Sequence, residues 1–134
     1  MEQNNRAARP AEKGDSVQDQ LRMLLHTHHG TLIKQIDTLG QMLAGADAHR
    51  AAALADAEGL AHQIKGAGGS IGFAQVSEAA TMLDDQLKGL VAQGGDAAPE
   101  QMESVRALFL DLDQIAKGTT PESSTLYNAN LTRG

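Results

Sequence analysis

The stretch from Ala61 to Gly72, Ala-His-Gln-Ile-Lys-Gly-Ala-Gly-Gly-Ser-Ile-Gly, carries the side chains of this sequence most suited to chemistry. An imidazole is partly neutral near pH 7 and can attack phosphorus without a separate base, so His62 is a candidate nucleophile. Lys65, three residues on, can hold a phosphoryl oxygen as a point charge. Four glycines then fall within seven residues, at 66, 68, 69 and 72. Each costs about 1 kcal/mol relative to alanine inside a helix. The bare backbone they leave would let a partner's loops and its bound phosphate come close. Taken alone, His62 would be an ordinary surface histidine; its neighbours give it meaning.

The element that must position these residues is a helix whose apolar stripe runs Leu54, Ala57, Ala61, Ile64, Gly68 and Ile71, with Asp47 as its N-cap. Gly66 could act as a C-cap with the remainder as loop. Ile64, Gly68 and Ile71 keep the stripe running past Gly66, which favours a helix that reaches Gly72 and stops there. At 100° per residue, Glu58, His62, Lys65 and Gly69 form a second stripe roughly 110° from the apolar one. His62 is therefore expected beside the core face and open to solvent.

Three further helical patterns surround this one. The first begins near Ser16 and places Val17, Leu21, Leu24, His28, Leu32, Ile36, Leu39 and Leu43 at steps of three or four. Another shows Val76, Ala79, Ala80, Leu83, Leu87, Leu90 and Val91 before the loop QGGDAA. In the last, Pro99 suits the first turn, Met102, Val105, Phe109, Leu112 and Ala116 make the stripe, and Gly118 ends it. Short connectors force neighbouring helices antiparallel, so the expected fold is all-α, a monomeric up-down-up-down four-helix bundle over residues 16–117. Residues 1–15 and 118–134 read as flexible tails.

The motif from His62 to Gly72, together with Ala61 before it, resembles the histidine-containing phosphotransfer (HPt) family: a His, one residue, an aliphatic, Lys-Gly, small residues, then an aliphatic and Gly. The resemblance in architecture extends over about residues 16–117. It implies that His62 accepts phosphate, that Lys65 stabilises it, and that Gly66, Gly69 and Gly72, with Glu58 on the same face, dock the partner. That partner would be a receiver domain of a response regulator or of a hybrid histidine kinase. Mg²⁺ would be bound by the receiver, so the chain would need no cofactor or metal of its own. Some members place a Gln or Glu on the following helix to hydrogen-bond the imidazole. Here that region offers Thr81, Asp84 and Asp85, so a shorter carboxylate would have to serve.

Composition narrows the rival classes. Val and Ile number only nine against 38 Ala and Leu, too few for a sizeable sheet. With no cysteine, thiol chemistry and cysteine-based metal sites are excluded. A net charge of -6 with no basic cluster disfavours nucleic acid. No apolar run is long enough to span a bilayer. The N-terminal residues lack the apolar core of a secretory signal, so the expected location is the cytoplasm. His26, His28 and His29 suggest a metal cluster, but on a helix His28 points away from the other two, into the apolar stripe, and no metal is assigned. GAGGSIG is no nucleotide loop: no strand precedes it and the lysine comes before the glycines. Two classes remain, a phosphorelay intermediate and a non-catalytic docking or scaffold bundle whose glycine patch serves packing or partner binding. No ATP-binding module is recognisable, so self-phosphorylation is not expected.

Overall fold

A computed structural model describes residues 13–47 and 50–128. Four helices account for most of them: α1 (Lys13–Ala44), α2 (Arg50–Ser70), α3 (Ala74–Ala92) and α4 (Pro99–Lys117), followed by a single 3-10 turn at Pro121–Ser123. Each helix packs on its neighbours in sequence and α4 packs back on α1, while the diagonal pairs make no close backbone contact among the described residues. This is the expected all-α four-helix bundle. No helix among the described residues is long and apolar enough to cross a membrane.

The expected stripes of α2, α3 and α4 form the core. Leu54, Ala57, Ala61 and Ile64 meet Val76, Ala80, Leu83, Leu87 and Leu90, with Met102, Val105, Leu112 and Ala116 closing the far side. Loop residues Ala46, Phe73 and Ala97 plug the ends. Much of the α2–α3 seam is alanine or glycine, which lets these two helices lie close together. A Cβ on Gly68 would sit 3.3 Å from both the Ser77 nitrogen and Val76 Cγ1.

The first helix differs from its expected register in its N-terminal half. It starts at Lys13, so Ser16 lies within the helix rather than capping it, and residues 13–15 are helical instead of tail. Leu25 is buried, whereas Val17 and Leu24 are roughly half exposed and His28 is exposed. The inward line is buried Leu25, half-buried His29, then buried Leu32 and Ile36, so the helix meets the expected stripe from Leu32 onward and departs from it by one residue before that. His29 brings its ring against Phe73, with centroids 5.5 Å apart, and bonds Thr119 Oγ1 at 2.9 Å. Packing partners beyond the helix chose between two registers that the spacing alone permits.

Helix α2 runs through Gly66 and Gly69, as the continued stripe predicts, and ends at Ser70. The Phe73 amide donates to the Gly68 carbonyl at 2.8 Å and the Gly72 amide to Gly69 at 3.4 Å, with Gly72 at φ +86°. That is a Schellman ending with glycine in its left-handed position. Residues 48 and 49, between Asp47 and the described span of α2, lie outside the described residues, so the capping expected of Asp47 falls outside what is described. The Asp47 carboxylate pairs with the guanidinium of Arg50 at 2.9 Å.

Residues 118–128, placed by the sequence in a flexible tail, fold back as a strap. Ser124 Oγ donates to the Ile71 carbonyl, and the Thr125 amide donates to the Gly72 carbonyl at 3.1 Å. Arg22 reaches the Tyr127 carbonyl at 3.1 Å and stacks over its ring at 4.6 Å. The remaining tail residues, 1–12 and 129–134, lie outside the described residues. The strap also changes the reading of Gly72. A Cβ there would fall 2.5 Å from Ser124 Oγ and 2.9 Å from the Thr125 nitrogen, so the position is covered by the chain itself rather than offered to a partner.

Gly72→Ala should therefore cost about 1–3 kcal/mol, from positive φ and overpacking together. Gly66→Ala, with nothing within 4 Å of its Cβ position, should gain up to about 1 kcal/mol of helix propensity. Urea unfolding of the two variants checks this; the opposite order would contradict the assigned roles.

Candidate functional site

Glu58, His62 and Lys65 lie on one side of α2, at successive steps of four and three residues, beside the buried line of Ala57, Ala61 and Ile64. The His62 side chain is 61% exposed, as its stripe position predicts. From α3, Asp84 reaches across the seam and accepts from the imidazole: His62 Nδ1 lies 3.4 Å from Asp84 Oδ2. Asp84 sits in the buried register of α3 with Leu83 and Leu87 and has no exposed side-chain surface. Of the three imidazole partners considered from the sequence, it is the one in place. Thr81 donates instead to the Ser77 carbonyl at 2.8 Å, and Asp85 is exposed without a bond to the ring.

A charge-bearing carboxylate inside a bundle needs partners. Lys88, one turn along α3, places its Nζ 3.0 Å from Asp84 Oδ2. Asp84 Oδ1 is buried and has no hydrogen-bond donor. The neighbouring Glu58 carboxyl offers this carboxylate a donor only when it carries a proton. That hydrogen bond, then burial and the repulsion of the Asp84 charge, holds Glu58 above its ordinary value near 4.5. Burial would raise Asp84 too, but hydrogen bonds from Glu58, Lys88 and His62 outweigh it and leave its carboxyl below its ordinary value near 3.8. Lys88 is raised in turn, through its bond to Asp84 and the attraction of that charge. Glu58, expected on the docking face, thus belongs to the polar cluster behind the imidazole.

The consequence for His62 is chemical. An ionised carboxylate only accepts hydrogen bonds, so the bond to Asp84 exists in the tautomer that carries its proton on Nδ1. That leaves the Nε2 lone pair free on the solvent side. Lys65 is half-buried one turn along and makes no ion pair among the described residues; its carbonyl accepts from Ser77 Oγ at 2.9 Å. The glycines divide by what surrounds them. Gly66 faces open space, Gly69 is exposed with Ser77 Oγ 3.4 Å from its Cβ position, and Gly68 is needed for the α2–α3 seam. Lys88 and Ser77 were not anticipated. The spacing Asp84–Lys88 is an ordinary i,i+4 ion pair, and only the structure shows that its carboxylate is buried and also bonds the imidazole.

His26, His28 and His29 do not converge. His26 Nε2 lies 3.8 Å from Glu122 Oε2, and His29 holds Thr119, so two of them seat the strap.

Comparison with known families matches the Hpt domain over residues 20–118, most of the chain. The chain belongs to the Hpt domain family. Domains of this family carry out histidine phosphotransfer in two-component systems and interact with receiver domains. No curated protein and no solved structure matches the chain.

Lys88→Met should show what holds the Asp84 charge. A carboxyl with a depressed folded value contributes stability that is present above its unfolded value and lost as pH falls through the folded one. Removing the ammonium shrinks the depression, so Asp84 should titrate at higher pH and the acid loss of stability should begin earlier. Side-chain carboxyl NMR and acid unfolding read both; an unmoved Asp84 titration would contradict the assignment.

Proposed function

We propose that this chain is a phosphorelay intermediate in which His62 Nε2 receives a phosphoryl group from the aspartyl phosphate of one receiver domain and passes it to the aspartate of another. The observation that carries this reading is the hydrogen bond from the His62 ring to buried Asp84, which turns the lone pair of an exposed imidazole outward beside Lys65.

In the accepting step Nε2 attacks phosphorus in line, the bond between phosphorus and the aspartyl oxygen breaks, and the receiver's carboxylate leaves. The ring gains a bond at Nε2 while keeping its proton on Nδ1, so positive charge grows on the imidazole. Asp84 is placed to balance that charge without moving. Lys65 neutralises the equatorial oxygens from the protein side, and an Mg²⁺ ion held by the receiver would supply counter-charge from the other. Donation is the reverse of these bond changes. We place the protein in the cytoplasm as a monomer, with Gly66 and Gly69 as the bare backbone against which the receiver seats. The rival docking or scaffold reading accounts for Gly68 and Gly72, which pack internally, and for an open Gly66 by partner binding, but it gives no reason for a buried carboxylate bonded to an exposed imidazole.

Incubation with phosphorylated receiver domains and Mg²⁺ should put acid-labile, alkali-stable phosphate on wild-type protein and none on His62→Gln. Label retained by that variant, or stable to acid, would contradict the proposal. Lys65→Ala should slow transfer by roughly tenfold to a thousandfold, the range for removing one electrostatic stabiliser. Its stability should stay within about 0.5 kcal/mol. Gly66→Leu should leave stability unchanged or raised while transfer falls; normal transfer in this variant would show that the receiver does not seat there.

A further inference from the structure

Behind the imidazole, Glu58, His62 and Asp84 each bring one metal-ligating atom to a common place, all within 4.8 Å of one another. We propose that these three residues bind a divalent cation of the Zn²⁺ class, and that the cation and the phosphoryl group compete for the same imidazole.

Several features support a site rather than a chance cluster. His62 Nδ1 and Asp84 Oδ2 are 3.4 Å apart, close to the ~3.3 Å that separates two ligands on a tetrahedral ion with bonds of about 2.0 Å. Asp84 is fully buried, and its Oδ1 has no hydrogen-bond partner unless Glu58 carries a proton, so a cation that displaces that proton would find a buried polar atom to bind. Two carboxylates face one ammonium, that of Lys88, which leaves an excess of negative charge for a dication to neutralise. Glu58 and His62 are one turn apart on α2, and Asp84 projects from α3 across a tightly packed seam, so the ligands are held by rigid elements. His62 is mostly exposed, which gives an ion an entry path and a water for its fourth position. An imidazole ligand with two carboxylates suits Zn²⁺ far better than Mg²⁺, which prefers oxygen. The Mg²⁺ that serves a receiver would not fill this site.

Coordination would change the reactivity of His62. A metal on Nδ1 needs the lone pair there, so the single ring proton must move from Nδ1 to Nε2. A protonated Nε2 has no lone pair with which to attack phosphorus. Zn²⁺ would therefore hold the protein in a form that cannot accept phosphate, and a ring phosphorylated on Nε2 with its proton on Nδ1 would exclude the metal. The binding is independent of the phosphorelay reading; only its consequence for transfer rests on that reading.

Calorimetric titration of the full chain with ZnCl₂ tests the binding directly. One equivalent should bind, with affinity lowered by about tenfold or more in His62→Gln and Asp84→Asn. Glu58→Gln, at a half-buried position where folding is not at stake, should weaken it in the same direction. His26→Ala, which alters the histidine pair beside Glu122, should leave it unchanged. No binding at about 100 µM Zn²⁺ would overturn the proposal. So would affinity that survives His62→Gln and Glu58→Gln but is lost in His26→Ala. Transfer from a phosphorylated receiver, read as a ratio with and without Zn²⁺ within each variant, should fall about tenfold or more in the wild type and less in Glu58→Gln. Bound zinc with an unaltered ratio would refute the competition. Failure of the wild type to accept phosphate even without zinc would refute the relay reading and leave the metal site standing.

Discussion

A single buried carboxylate organises this protein's chemistry. Asp84 occupies a position in α3 that an apolar residue would fill in an ordinary bundle, and a lone charge there would be costly. It is retained in charged form by Lys88 on one side and by the His62 ring on the other. The same bonds that keep Asp84 ionised fix the orientation of the ring, so the cost of burying the charge and the readiness of the nucleophile are two sides of one arrangement. Replacing buried ionic groups by well-packed hydrophobes of similar size is often neutral for stability, so the carboxylate is not explained by folding alone.

The reach of that carboxylate depends on the seam between α2 and α3. Ala57, Ala61 and Gly68 on one helix, with Ala79 and Ala80 on the other, remove the bulk that would hold the backbones apart. A side chain one methylene shorter than glutamate can then span from α3 to the imidazole. The glycine-rich half of α2 thus combines different tasks. Gly68 closes the seam, Gly72 ends the helix beneath the strap, and Gly66 leaves open backbone facing solvent. Propensity alone would allow this helix to end at Gly66; packing of Ile64 and Gly68 against α3 carries it on to Ser70.

Much of this was legible in the sequence. The stripes of α2, α3 and α4 name the core residues because each helix has one apolar face and a clear end, at Gly72, at the QGGDAA loop and at Gly118. His62 and Lys65 are legible because their motif is contiguous and its spacing puts them on the exposed side. The first half of α1 was not, because Leu24 and Leu25 are both apolar and a period of 3.6 accepts either. The contacts that chose Leu25 and His29 come from Phe73 and Thr119, far along the chain. The strap was hidden for a different reason: it is held by polar contacts, among them a serine hydroxyl, His26 to Glu122, His29 to Thr119 and the cation–π contact of Arg22, none of which leaves an apolar period. Asp84 was one of three candidates because a polar residue in a buried register looks like an interruption until the opposite helix is known.

The central claim is that Asp84 holds His62 with its proton on Nδ1 and its lone pair on Nε2. Side-chain ¹⁵N NMR of the unphosphorylated protein, at a pH where the ring is neutral, measures this directly. A His62 spectrum with a protonated Nδ1 and an unprotonated Nε2, reverting towards a mixture in Asp84→Asn, is the result the structure requires. A ring found with its proton on Nε2 in the wild type would contradict it.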